Sequence, residues 1–208
     1  MRRRLLICLL CACWLSGGLG VDRARCEPRT DLVASGGKLA LTVTNLGYVG
    51  NGLRFFNQPS AEYPQNSHVE HLFLGGLWVG AVGADGTIHV SVGAQDASSL
   101  EAGDEIREFG DTRDPVRVMS NSQNSDVYDP AALATQHIRV VFADTSANIE
   151  SGSHVPLGLH VVLRALSWGD PYADDFVILD YTIVNVSPDE LRDVYVGFWN
   201  DTTVGNTE

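Results

Sequence analysis

The sequence has few basic residues. It contains 14 Lys and Arg against 26 Asp and Glu, which gives a formal net charge of −12. Proteins that bind nucleic acid present clusters of Lys and Arg to the phosphates. The charge balance therefore argues against nucleic acid as a partner.

The first 20 residues contain no acid. They carry three arginines, then an apolar run from Leu5 to Leu15, and then small residues. This is the pattern of a secretory signal peptide, and we expect cleavage after Gly20 and export from the cell. About 11 apolar residues are too few to cross ~30 Å of hydrocarbon as a helix, and no longer apolar run follows, so no membrane span is predicted in the mature chain. Lipid attachment at Cys13, which ends the stretch "LCAC", is an alternative.

The predicted mature chain also lacks a pair of cysteines. Three of the four cysteines lie in the signal peptide, which leaves Cys26. A single cysteine cannot form an internal disulfide, so the fold must be held by its core. Without residues 1–20 the chain has 11 basic and 26 acidic residues, a net charge of −15.

Helical periodicity is scarce, and turn residues are abundant. Residues 21–36 show no period, and we interpret them as a linker. Residues 37–208 contain short runs of alternating apolar and polar residues between Gly, Pro, Asn and Asp, which is typical of strands joined by turns. The stretch "HLFLGGLWVGAVGADGTIHVSVG" is a predicted hairpin with Asp85-Gly86 as its turn, and "DPAALATQ" is a candidate short helix. We predict an all-β fold, an antiparallel β-sandwich of about seven to eight strands.

Three acids interrupt the segment "PYADDFVILDYTIVNVSPDELRDVYVGFWND", residues 171–201. A carboxylate is costly in a buried sheet unless it is partnered. If Ser187–Glu190 is the turn of a hairpin, Asp180 faces Gly197 on the neighbouring strand. Alternation then gives one nearly pure apolar face, made of Val177, Leu179, Tyr181, Ile183, Val194, Val196 and Phe198. The opposite face, which carries Asp180, is predicted to be partly solvated.

That solvated face suggests a binding surface. Asp180 beside Tyr195 and Trp199 would resemble a sugar-binding platform, in which rings stack on the sugar and a carboxylate accepts its hydroxyls. Trp78 and Trp168 are further candidates for such a platform.

The same register suggests calcium as a cofactor. Because Phe176 would face Asp201, the acids Asp174 and Asp175 could approach Asp201 at the end of the strand, and calcium takes oxygen ligands of this kind. No other cofactor is predicted. His68 and His71 lie three residues apart, so on a strand they point to opposite faces and are not expected to share zinc.

Catalytic residues are not predicted. The sequence has no Gly-x-Ser-x-Gly elbow, and no pair of carboxylates stands out as the acid and base of a glycosidase. We therefore expect a protein that is not an enzyme.

Five stretches of the sequence occur together in a characteristic order and cover most of residues 38–204. They are "LTVTNLGYVGN", "PSAEYP", "VEHLFLGGLWVGA", "HVPLGLHV" and "YADDFVILDYTIVNVS…LRDVYVGFWND". In this combination the chain resembles the N-terminal β module of large, uncharacterised proteins secreted by environmental Gram-negative bacteria. Many members of that group carry a C-terminal type IX secretion sorting domain. The resemblance implies an extracellular β module and supplies no catalytic residue.

We therefore expect a non-enzymatic, secreted or cell-surface β-sandwich module of a larger structural or adhesion-type protein. The partners expected are extracellular polysaccharide or another surface protein. A carbohydrate-binding module and an accessory domain of an extracellular hydrolase are the alternatives. Because Glu208 follows directly on a predicted strand, we also expect the sandwich to be incomplete at its C-terminus.

Overall fold

The described part of the chain is built from strands. The computed structural model describes residues 30–53, 58–94, 108–145 and 154–206, and these ranges contain twelve strands and no helix. The strands are β1 (Asp31–Ala34), β2 (Ala40–Thr44), β3 (Tyr48–Gly50), β4 (Ala61–Glu62), β5 (Val69–Val82), β6 (Ile88–Val92), β7 (Gly110–Asp111), β8 (Arg117–Met119), β9 (Gln136–Asp144), β10 (Leu159–Ser167), β11 (Ile178–Asn185) and β12 (Arg192–Asn206). Four of them have only two or three residues, which leaves eight longer strands. Within these ranges no helix could cross a membrane.

The strands form two antiparallel sheets. The larger sheet has seven strands in the order β1-β2-β3-β5-β12, with β4 beside β2 and β5, and with β6 beside β5. The smaller sheet has five strands in the order β11-β10-β9-β7, with β8 beside β9. The predicted all-β, antiparallel β-sandwich is confirmed.

The two sheets pack face to face through an apolar core. The five-stranded sheet contributes alternate residues of β9 and β10, namely Ile138, Val140, Phe142, Val161, Leu163 and Ala165. The seven-stranded sheet contributes residues that include Val43, Leu77 and Val79. Each large aliphatic side chain contributes ~1.5–3 kcal/mol on full burial, so this core is the main source of stability. The residues between the buried ones point outward from the sandwich.

The predicted hairpin around Asp85-Gly86 is confirmed. Strands β5 and β6 pair from Val82 opposite Ile88 onward, and the turn is closed by a hydrogen bond from Gly83 N to Thr87 O at 2.9 Å. Gly86 has a φ of +76°, which favours glycine because it has no Cβ. The turn is therefore determined locally by its own residues.

The predicted hairpin of β11 and β12 is wrong. β11 pairs with β10 in the five-stranded sheet, and β12 pairs with β5 in the seven-stranded sheet. Residues 186–191 thus connect the two sheets, and a bulge separates Arg192 from Tyr195. The rings of Tyr181 on β11 and Phe198 on β12 lie near each other, with centroids 6.3 Å apart. Leu179, Tyr181 and Ile183 of β11 pack against the core, as predicted. Val194, Val196 and Phe198 of β12, which were predicted to join them on one apolar face, are exposed instead.

The predicted linker at 21–36 extends too far. Asp31–Ala34 form β1, which pairs with β2 from Asp31 opposite Thr44 to Ala34 opposite Leu41. Ala34 is buried in the core. The run of apolar residues here is too short to show a period, so the sequence pattern missed the strand. The predicted signal peptide, Cys13, Cys26 and the rest of residues 1–29 lie outside the described residues.

The candidate helix "DPAALATQ" is a turn followed by the start of β9. Asp129 Oδ1 accepts a hydrogen bond from Ala131 N at 2.8 Å, and Asp129 O accepts one from Ala132 N at 2.9 Å. An Asp side chain that bonds the backbone two residues on favours a turn over a helix.

Candidate anion-binding site

The predicted ligand residues lie on different sheets. Asp180 is on β11, where its neighbours Leu179 and Tyr181 pack against the core, so its carboxylate is on the outer face of the five-stranded sheet. Tyr195 and Trp199 are on β12, opposite Gly80 and Gly76 of the seven-stranded sheet. The hairpin that would have made Asp180 their neighbour does not form. The structure therefore does not bring these three residues together on one surface.

The aromatic residues have separate surroundings. Trp199 packs against a small second apolar cluster that includes Leu46, Tyr48 and Leu74, whereas Tyr195 is 76% exposed. The indole nitrogen of Trp78 donates to Ala94 O at 2.6 Å. The ring of Trp168, beyond the end of β10, lies near that of Phe176 at a centroid distance of 6.1 Å.

The acids of the predicted calcium site are also distributed over two sheets. Asp174 and Asp175 precede β11 and lie 2.9 and 3.1 Å from the ammonium group of Lys38. Hydrogen bonds from Lys38 and then from Tyr63 lower the pKa of Asp175. Asp201 lies on β12 opposite Leu74. The register on which the calcium hypothesis was based is therefore not the one found, and calcium binding stays a prediction.

A row of charged residues crosses the outer face of the five-stranded sheet. Arg117 of β8 is opposite Arg139 of β9, Arg139 is opposite Arg164 of β10, and Arg164 is opposite Asp180 of β11. All four alternate with residues that face the core. We call these residues the arginine row.

The arginine row places like charges next to each other. Residues directly opposite on antiparallel strands have Cβ atoms ~4.5–5.5 Å apart, and like charges there destabilise the sheet. Three of the 11 basic residues that follow residue 20 are gathered in this row. In an acidic chain this concentration of positive charge creates a local positive potential, which attracts anions.

One arginine of the row is neutralised. Arg164 Nη2 lies 2.7 Å from Asp180 Oδ2. Among the described residues no carboxylate lies within 4.0 Å of the guanidinium nitrogens of Arg117 or Arg139. These two guanidinium groups are therefore available to an external anion.

His137 lies beside the row on β9. It is 4% exposed, and its Nδ1 accepts a hydrogen bond from Leu133 N at 3.3 Å. The neutral ring then carries its proton on Nε2, and Nε2 is buried without a partner among the described residues. Burial lowers the pKa of His137, and the positive charge of Arg164 lowers it further.

A second buried donor nearby also lacks a hydrogen-bond partner among the described residues. The Nε of Arg164 is buried and has no hydrogen-bond partner in the described part of the chain. Unmade hydrogen bonds of buried donors are costly, and such groups in a native structure call for an explanation. Here the two unpartnered donors, His137 Nε2 and Arg164 Nε, belong to residues that line the same cavity as Arg117 and Arg139.

These residues line an open cavity of about 350 Å³. Its lining consists of Arg117, Met119, Asp129, Ala131, His137, Arg139, Val162, Arg164 and Thr182. Guanidinium groups bind carboxylate, sulfate and phosphate through paired N–H donors. We call this cavity the arginine pocket, and its chemistry is that of a site for a small anion.

Sequence reasoning did not find the arginine pocket. The stretches "QHIRVVFADT" and "GLHVVLRALSW" have the alternation of strands, and this alternation already separates His137 and Arg139 from Ile138 and Val140. A signal for the pocket was present in the sequence. Each of two largely apolar strands carries an arginine, Arg139 or Arg164, at an outward position, although the chain has few basic residues. Asp180, which was predicted to bind a ligand, does border the pocket through Arg164.

Comparisons with known proteins found no relative. No protein-family model matches the chain, and no curated protein or solved structure shows significant similarity to it.

Proposed function

We propose that the chain is a non-enzymatic, exported β-sandwich module that binds an anionic ligand in the arginine pocket. The observation that carries this proposal is the arginine row with two buried, unpartnered N–H donors beside it. A sheet that served stability alone would gain nothing from three adjacent positive charges. Anion binding accounts for the adjacent charges.

Export is supported by the sequence. The first 20 residues have the pattern of a signal peptide, and the five stretches quoted above resemble extracellular β modules of larger surface proteins. An adhesion-type module that holds a ligand without transforming it agrees with both. The N-terminus of protein recovered from the periplasm or medium of a Gram-negative host should lie near Val21, and an intact soluble form that starts at Met1 would contradict export.

The binding proposal is tested by calorimetric titration of the purified protein with sodium sulfate and sodium acetate at constant ionic strength. We expect at least one of these anions to bind. Arg139→Gln should weaken that binding about tenfold, because it removes a charge-assisted hydrogen bond.

The matched control is Arg192→Gln, which makes the same change at an exposed position on β12 of the other sheet. It should leave the affinity unchanged. The proposal fails if neither anion binds, or if Arg192→Gln weakens binding as much as Arg139→Gln does.

A further inference from the structure

The arginine pocket has a small excess of positive charge. Three guanidinium groups face the carboxylates of Asp129, in the lining, and Asp180, at its border. His137 adds no charge at neutral pH, since burial and Arg164 both lower its pKa. One positive charge remains among the lining and bordering residues. Asp114, outside the lining, also interacts with the charge of Arg139, so the pocket suits a ligand with no more than a single negative charge.

Hydrogen-bond acceptors lie close to the donors. Asp129 uses Oδ1 to accept the N–H of Ala131, and Asp180 uses Oδ2 to bind Arg164. The second oxygen of each carboxylate and the hydroxyl of Thr182 have no partner in the described ranges. These acceptors suit a ligand that has hydroxyl groups, whereas sulfate has no proton to donate to them.

The remaining lining is apolar and the cavity is small. Met119, Ala131 and Val162 give it a wall that can contact the C–H face of a ligand. Its volume of about 350 Å³ is near the lower end of the ~300–1,000 Å³ found for ligand pockets. The size therefore suits one sugar ring with its substituents.

We infer that the arginine pocket binds a sugar carboxylate, either a uronic acid unit of an acidic polysaccharide or the free sugar acid. This inference rests on the proposed function. The carboxylate would pair with Arg139 and Arg117, and the sugar hydroxyls would donate to Asp129, Asp180 and Thr182.

Competing ligands satisfy the pocket less well. A neutral sugar leaves the guanidinium groups without a counter-charge. A dianionic phosphate brings more negative charge than the excess, next to two carboxylates.

The test is calorimetric titration with galacturonate, its methyl ester and inorganic phosphate at constant ionic strength. Galacturonate should bind at least about tenfold more tightly than the ester, which has the same ring and hydroxyls but no charge. It should also bind more tightly than phosphate. An oligogalacturonate that binds more tightly than the monomer identifies the polymer as the source, and equal affinity identifies the free acid.

A variant separates the hydroxyl contacts from the charge. Thr182→Val should weaken galacturonate binding and leave acetate binding unchanged, because acetate has no hydroxyl. Phosphate or acetate binding more tightly than galacturonate would overturn the sugar inference and leave the anion-binding function standing. If no anion binds at all, both proposals are wrong.

Discussion

Ser91 and Asp144 join the two sheets at a point that solvent does not reach. Ser91 of β6 donates its hydroxyl to Asp144 Oδ2, at the end of β9, at 2.5 Å. The same oxygen accepts Leu157 N at 2.7 Å, and Oδ1 lies 2.5 Å from His154 Nε2. The other ring nitrogen of His154 lies 3.3 Å from Glu108 Oε1. One carboxylate thus holds a strand from each sheet and the segment that leads into β10.

Asp144→Asn should destabilise the fold strongly. The amide has one acceptor oxygen in place of two. The change therefore interrupts the buried network that links Asp144 through His154 to Glu108. We expect a loss of ~3–5 kcal/mol in the free energy of unfolding, measured by urea denaturation. The exposed Asp126→Asn is the control and should change stability by no more than ~0.5 kcal/mol. Equal midpoints for the two variants would show that the Asp144 network contributes little.

Tyr181→Phe should stabilise the protein. The Tyr181 hydroxyl is buried without a partner among the described residues, and burial raises its pKa. Removing an unsatisfied buried hydroxyl while keeping the ring should raise the free energy of unfolding by ~1 kcal/mol. Tyr195→Phe, at a residue that is 76% exposed, should have no effect. A loss of stability in Tyr181→Phe would mean that the hydroxyl is bonded in solution.

His137 should make stability depend on pH. Its folded pKa is lowered by burial and by Arg164, so the unfolded chain takes up a proton first as the pH falls. The contribution of the neutral ring is complete above the unfolded pKa of ~6.5 and is lost progressively as the pH falls from there towards the lower folded pKa. His137→Gln should therefore flatten the profile in this window. The measurement is the difference between wild-type and variant melting temperatures from neutral to mildly acidic pH, and a constant difference would contradict the prediction.

Arg139→Thr should raise stability while it weakens anion binding. It removes the like charge between Arg117 and Arg164 and places a β-branched residue on a strand. We expect a gain of ~0.2–1 kcal/mol at low salt, which shrinks as salt screens the repulsion. Urea denaturation at two salt concentrations measures the gain. A loss of stability at low salt would show that Arg139 is held in place by attractive contacts.

Calcium should not affect the wild-type protein at Asp174 and Asp175. The ammonium group of Lys38 already lies within hydrogen-bond distance of both carboxylates. Added calcium or EDTA should therefore leave the melting temperature unchanged, whereas Lys38→Met should make it respond to calcium. A lower melting temperature of the wild-type protein in EDTA would support the predicted calcium role.

Local chemistry determined much of this fold from the sequence alone. Alternate residues of a strand point to opposite faces whatever its neighbours are, so the outward position of Arg139 and the core position of Val140 follow from the strand itself. The Asp85-Gly86 hairpin is equally local, because positive φ at glycine sets the turn. The all-β class and the sandwich follow from the sum of such segments.

Tertiary structure decided which strands are neighbours, and with it the site. Alternation shows which side of a strand is apolar but not which strand lies beside it, so β11 and β12 have the pattern of a hairpin although they lie in different sheets. For the same reason the pattern cannot show that Arg117, Arg139 and Arg164 stand in one row. Their shared position depends on the pairing of β8, β9 and β10, which comes from the packing of the whole domain.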